Sequence, residues 1–219
     1  MQLINMFKPK EISHIILAII ILSFVVSFNQ ISKNSERGHL IIFSIIIITL
    51  IIFINIIAKK ITAYYFESNI ESKIWHLQQY SFKQSYHFKK PLPAGIIIPF
   101  ILSVISLGYA MWLAILEFEV NPSSTRVSKR HGHYRVSEMT DTQIGIIAAS
   151  GVIVNLIASI IGYLIGVPEF ARLSIYYAAF SLLPLSGLDG TKIFFGSRVM
   201  WFSLVIITAI FLGYAFLLV

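Results

Sequence analysis

Asp189 poses the clearest chemical question in this chain. It lies in "SLLPLSGLDGTKIFFG", Ser181–Gly196, between Leu188 and Gly190, in a region that is otherwise mostly Ile, Leu and Phe. A carboxylate in such surroundings can ligate a metal, cap a helix or balance a buried cation. The nearest cation in sequence is Lys192, three residues on, which shares a helical face with Asp189 if a helix begins near Gly190. At the start of such a helix the carboxylate would also accept hydrogen bonds from the amides of Thr191 or Lys192 and meet the positive end of the helix dipole. A zinc ion would need three or four N, S or O ligands. The histidines available are His14, His39, His76, His87, His131 and His133. His131-Gly132-His133 supplies two ligands at most, and Lys129, Arg130 and Arg135 beside it oppose a dication, so the segment reads as a solvated basic loop. His14 lies in an apolar run with Leu17 and Ala18 where a ligand partner would stand, and reads as a packing residue. There is no cysteine, hence no thiolate or disulfide chemistry. These residues predict no catalytic side chain and no intact metal site.

The elements that must position Asp189 are apolar helices. The chain has 219 residues, 57% hydrophobic and 12% charged, against about 25% charged in soluble domains. Leu40–Ala58 is an uncharged stretch of 19 residues, and Pro91–Leu116, Thr142–Pro168 and Val199–Val219 are longer. Each reaches the roughly 20 residues that cross a bilayer as a helix, the form that satisfies its own backbone in hydrocarbon. Ile12–Phe28, behind Lys8 and Lys10, reads as a retained first helix rather than a cleaved signal, and Leu173–Leu188 as a short span broken at Asp189. The expectation is an all-α polytopic membrane protein of about six transmembrane helices with short interfacial β segments. Its organisation is two N-terminal transmembrane helices over 1–60, an amphipathic or strand segment over 61–94, and a membrane core with a C-terminal helix over 95–219. Lysine and arginine number nine on one side of such a topology and eight on the other, which does not set an orientation. The net charge of +7 comes from loops beside apolar spans, so it implies contact with the lipid bilayer and its anionic headgroups, not with nucleic acid.

Two polar stretches interrupt the spans. "KKITAYYFESNIESK" from Lys59 reads as helix, and "YSFKQSYHF", Tyr80–Phe88, alternates aromatic with polar residues as a strand does. Pro91 and Pro93 are expected to stop that strand. In the second stretch, Glu117–Asp141, "EFEV" reads as a short strand, Asn121-Pro122 as a turn and "TRVSKR" as a returning strand. No inverted pair of broken helices marks a secondary transporter.

Upstream of Asp189, "IIAASGVIVNLIASIIGYL" sets Gly151 and Asn155 four apart on one face of an apolar helix. This pair resembles the Gly-Pro-x-x-Asn element of the site-2 protease family of intramembrane zinc metalloproteases. Leu188-Asp189-Gly190 with Lys192 resembles that family's later Leu-Asp-Gly signature. The resemblance covers roughly Pro91–Trp201 and implies a three-helix membrane core with Asp189 at the position of a third zinc ligand. The departures are specific. The family's His-Glu-x-x-His, two ligands and a general base on one helix, occurs nowhere in this chain. Placed by spacing from Phe118-Glu119-Val120, it would fall on Ile105-Ser106-Leu107-Gly108-Tyr109, and Pro91–Leu116 contains no His, Asp, Glu, Lys or Arg. Val152 replaces the proline of the first element, and Ser181 stands where the family often has asparagine.

The resemblance therefore implies a relative without proteolytic activity, with no cofactor, no catalytic residue, and Asp189 as a vestigial ligand position. Partners implied are transmembrane segments or extended peptides of other membrane proteins, bound by strand addition at Tyr80–Phe88. In the emptied position Tyr109 would hydrogen-bond Asp189. Two other readings remain open: an active metalloprotease with a non-standard zinc site, and a transporter or channel component.

Overall fold

A computed structural model describes residues 7–33, 39–79, 87–122 and 139–217. Among them are seven helices and four short strands. The helices are α1 (Pro9–Lys33), α2 (His39–Tyr65), α3 (Ala94–Ile105), α4 (Asp141–Leu164), α5 (Pro168–Ser181), α6 (Asp189–Gly196) and α7 (Arg198–Leu217). The strands are β1 (Ser68–Ile74), β2 (Leu77–Gln79), β3 (His87–Leu92) and β4 (Leu116–Pro122).

Four of the helices, α1, α2, α4 and α7, are long and apolar enough to cross a membrane. Their outward faces are apolar as well: Ile206 and Ile210 on α7 and Ile42 and Ile46 on α2 are all more than half exposed. A helix apolar on every face is suited to hydrocarbon rather than water.

The other two expected spans take a different form. Pro91–Leu116 is not one helix. Pro93 caps α3, Pro99 sits inside it, and Leu107 and Gly108 adopt left-handed φ of 53° and 84° just beyond its end. The chain then runs without regular structure through buried Leu113, Ala114 and Ile115 into β4. At 1.5 Å per residue α3 is about 18 Å long, short of a hydrocarbon core of about 30 Å. Leu173–Leu188 likewise yields α5, which starts earlier, with Pro168 in its first turn, and ends at Ser181 rather than Asp189. Pro184 and Gly187, the latter at φ 82°, hold the next residues out of a helix.

The polar stretch after the second span also departs from expectation. α2 continues through Lys59 and Lys60 to Tyr65, where Glu67 at φ 52° ends it. Ser68–Lys73, expected as helix, falls instead in the strand Ser68–Ile74, which has alternate residues buried and pairs antiparallel to β4 from Ser68↔Pro122 to Ile74↔Leu116. Burial of Ile70 and Ile74 on one face outweighs the helix-like pattern of charges. The strand expected at "EFEV" is present, and Asn121-Pro122 extends it instead of turning. β3 runs through Pro91 to Leu92 and pairs with β2. Tyr80–Tyr86, "TRVSKR", His131 and His133 lie outside the described residues.

Glu11 near the start of α1 pairs with Lys60 near the end of α2, so these helices are antiparallel. Their apolar faces meet in a core of Ile15, Ala18, Leu22, Ile48, Ile51 and Ile52, closed by Leu113, Ile115 and Tyr177. A second core joins α4 to α6 and α7 through Ile147, Val152, Ile193 and Leu204, with Phe118 of β4 against it. Asp189 enters between these two bodies.

Candidate functional site: a buried ion pair at Asp189

Two indoles hold the loop that delivers Asp189. Trp75, buried between β1 and β2, donates from Nε1 to the Ser186 carbonyl, and its backbone bonds Ile115 at 2.8 Å and Gly95 at 3.0 Å. Trp201 on α7 donates from Nε1 to the Leu182 carbonyl at 3.1 Å. Leu188 packs beside Trp75, Ala94 and Ala114 in a small apolar cluster of their own. Gly190 then passes so near the preceding turn that a Cβ there would collide with the Leu182 carbonyl and lie 2.5 Å from that of Leu183. Backbone cannot yield as a side chain does. Gly190→Ala is therefore expected to lower stability by about 1–3 kcal/mol or more, measured by thermal unfolding in detergent. Gly187→Ala makes a useful contrast, since its Cβ would meet the movable Glu117 carboxylate but would be strained by the positive φ.

Asp189 is the first residue of α6, and the helix is capped by Leu188 without any side-chain hydrogen bond. The expected capping role is thus not adopted. Nor does Asp189 pair with Lys192. Its Oδ2 accepts a hydrogen bond from Lys59 Nζ at 2.6 Å, and the two side chains are 3% and 5% exposed. Lys59 comes from α2, which crosses α4 at Gly151. A Cβ at Gly151 would lie 2.5 Å from Lys59 Cε and 2.7 Å from Asn55 Nδ2, so glycine makes the room through which the lysine reaches the carboxylate. Asn155, one turn further on the same face, is fully buried.

Lys192 turns to β4. Its ammonium lies 3.6 Å from the centre of the Phe118 ring and donates to the Phe118 carbonyl. Burial pulls its pKa down to about 8, with the Lys59 charge acting in the same direction and the Asp189 carboxylate against it. Lys59 Nζ lies 5.2 Å from the same ring. Two ammonium groups thus approach one aromatic ring, with a single carboxylate bonded to one of them. Glu117 borders this region, 3.6 Å from Lys73 and 3.9 Å from His76 Nδ1, and burial raises its pKa.

Tyr109 is 72% exposed whereas Asp189 is 2% exposed, so the proposed hydrogen bond between them is not formed. Ser106 Oγ accepts from the Ala110 amide at 3.0 Å and closes the turn after α3. Gly151, Leu188, Asp189 and Gly190 all belong to one assembly, and Lys192 flanks it. Lys59, Asn55, Trp75 and Phe118 are the members that sequence reasoning missed. The signal for Lys59 was its place at the end of an unbroken apolar run, one turn after Asn55.

A zinc ion does not suit this donor set. The one carboxylate is bonded to an ammonium, a second ammonium lies nearby on Phe118, and no group of three His, Asp or Glu side chains converges among the described residues. What the arrangement does chemically is neutralise a buried charge. A buried pair is tolerated there when each charge keeps its partner. Comparison with protein-family models, with curated proteins and with solved structures found no match.

Proposed function

We propose that this chain is a multi-pass integral membrane protein related to the site-2 proteases in which the metal centre has been exchanged for a lysine–aspartate pair, leaving a scaffold without proteolytic activity. The observation that carries this reading is the 2.6 Å contact between Lys59 and Asp189. Where the family places a dication, this chain supplies a single ammonium from α2, so the carboxylate is neutralised without a metal. Gly151, which resembles the family's glycine, makes room for that lysine. In this reading the six apolar segments all enter the bilayer, α3 and α5 part-way and the four long helices across it. The scaffold then binds transmembrane segments or extended peptides of other membrane proteins.

Metal analysis of the detergent-purified protein tests the proposal. Zinc well below one ion per chain is expected in the wild type and in Asp189→Asn alike. Stoichiometric zinc in the wild type, lost on that substitution, would overturn it in favour of an active metalloprotease.

A further inference from the structure

At the opposite end of the α4–α7 pair from the ion pair, a groove of about 320 Å³ opens between α4, α5 and α7. It falls at the lower end of the roughly 300–1,000 Å³ typical of small-molecule sites. Its lining is largely apolar and includes Ile160, Ile175, Ile210 and Phe211. Its mouth is different. Tyr163 and Tyr214 meet there edge to face at 5.6 Å, and Arg172 lines the same opening.

The depth of these residues follows from the helix ends. Gly145, early in α4, packs against Gly196 and Met200 at the α6–α7 junction, and Tyr163, late in α4, packs against Tyr214, late in α7. α4 and α7 therefore run parallel, and both end near the mouth, where α5 begins at Pro168. If α4 and α7 span the bilayer, this level is the membrane–water interface, where tyrosine pairs and arginines gather. Glu169, the carboxylate nearest Arg172 in sequence, lines a separate cleft with Ile42 and Ile46. Arg172 forms no ion pair among the described residues.

We infer that this groove holds one anionic phospholipid, its phosphate at Arg172 beside the Tyr163–Tyr214 pair and the upper part of an acyl chain along Ile160, Ile210 and Phe211. A cation at the mouth of an apolar slot, at headgroup depth, matches a molecule with one negative end and one hydrocarbon end. The inference rests on the membrane placement of α4 and α7 and is independent of the protease resemblance.

The test uses the full-length chain reconstituted into vesicles of phosphatidylcholine, alone or with phosphatidylglycerol replacing part of it. Flotation with phosphatidylcholine vesicles checks insertion first, and failure to insert would sink the membrane reading itself. Phosphatidylglycerol is then expected to raise the unfolding midpoint of the wild type. Native mass spectrometry is expected to retain one phosphatidylglycerol per chain. Arg172→Gln should weaken that retention about fivefold, the effect of one interfacial cation. Ile210→Trp should fill the slot and abolish retention, with its own midpoint in pure phosphatidylcholine serving as the reference for its gain with phosphatidylglycerol. Equal retention by wild type and both variants would overturn the assignment, as would no preference over phosphatidylcholine. A midpoint gain that tracks formation of a dimer would give the groove to a second copy instead.

Discussion

Lys59→Met is expected to destabilise the protein by about 3–5 kcal/mol, the largest effect of any single change to a polar group here. The substitution keeps the length and apolar stem of the side chain but leaves Asp189, 3% exposed, as an unpaired buried carboxylate. Asp189→Leu is expected to be harmful for the complementary reason, since it strands the Lys59 ammonium between α2, α4 and α6. The decisive measurement is a double-mutant cycle. Removing both charges together, as Lys59→Met with Asp189→Leu, should restore most of the lost stability, because a buried pair exchanged for apolar residues of similar volume is often neutral or better. Thermal or detergent-induced unfolding of the four proteins supplies the numbers. If the two single losses simply add in the double variant, the residues do not act as a pair, and the proposed replacement of a metal by Lys59 loses its support.

Trp75→Ala should cost about 3–5 kcal/mol as well, from a different cause. The indole is 1% exposed, stacks on Trp112 with ring centres 6.3 Å apart, and fixes the Ser186 carbonyl that precedes Gly187 and Asp189. Its loss leaves a cavity between β1, α3 and the α5–α6 loop, and also an unbonded carbonyl. Trp75→Phe separates the two contributions. It retains most of the packing but no N–H, so its cost is expected near 1–3 kcal/mol, that of one buried acceptor left unsatisfied. Hydrogen exchange at Leu188, Thr191 and Lys192, whose amides bond Leu185 and Leu188 within this loop, reads the local consequence. Faster exchange there in Trp75→Phe, with little change in α4, is the expected pattern. Uniform acceleration would mean the indole acts on global stability alone.

Much of the helical layout was legible because it is a matter of composition over short windows. Uninterrupted runs of Ile, Leu and Phe become α1, α2, α4 and α7 whatever surrounds them, since their backbones and side chains have no better state in an apolar medium. Composition was a poorer guide where proline and glycine intervene. Pro91–Leu116 is apolar from end to end, yet Pro93, Pro99 and the left-handed Leu107-Gly108 reduce it to a 12-residue helix followed by an irregular lead-in to β4. The helical reading of Ser68–Lys73 failed because strand pairing with Leu116–Pro122 is a relation between segments almost fifty residues apart, invisible to any local period.

The same distinction divides the site. That Asp189 is buried and charged, that Gly151 and Asn155 share a helical face, and that no histidine accompanies them are properties of the sequence by itself. The partner of Asp189 is not. Lys192 was the natural choice because it is three residues away, but on α6 it is turned toward Phe118. Lys59, 130 residues earlier, looked like the first residue of a polar stretch because it follows the apolar run beside Lys60. Only when α2 continues past that point and packs on the glycine of α4 does its ammonium arrive at the carboxylate. Burial of a charge follows from the hydrophobicity of its neighbours, which sequence records. Its neutralisation depends on a distance of a few ångströms between separate helices, which packing alone decides.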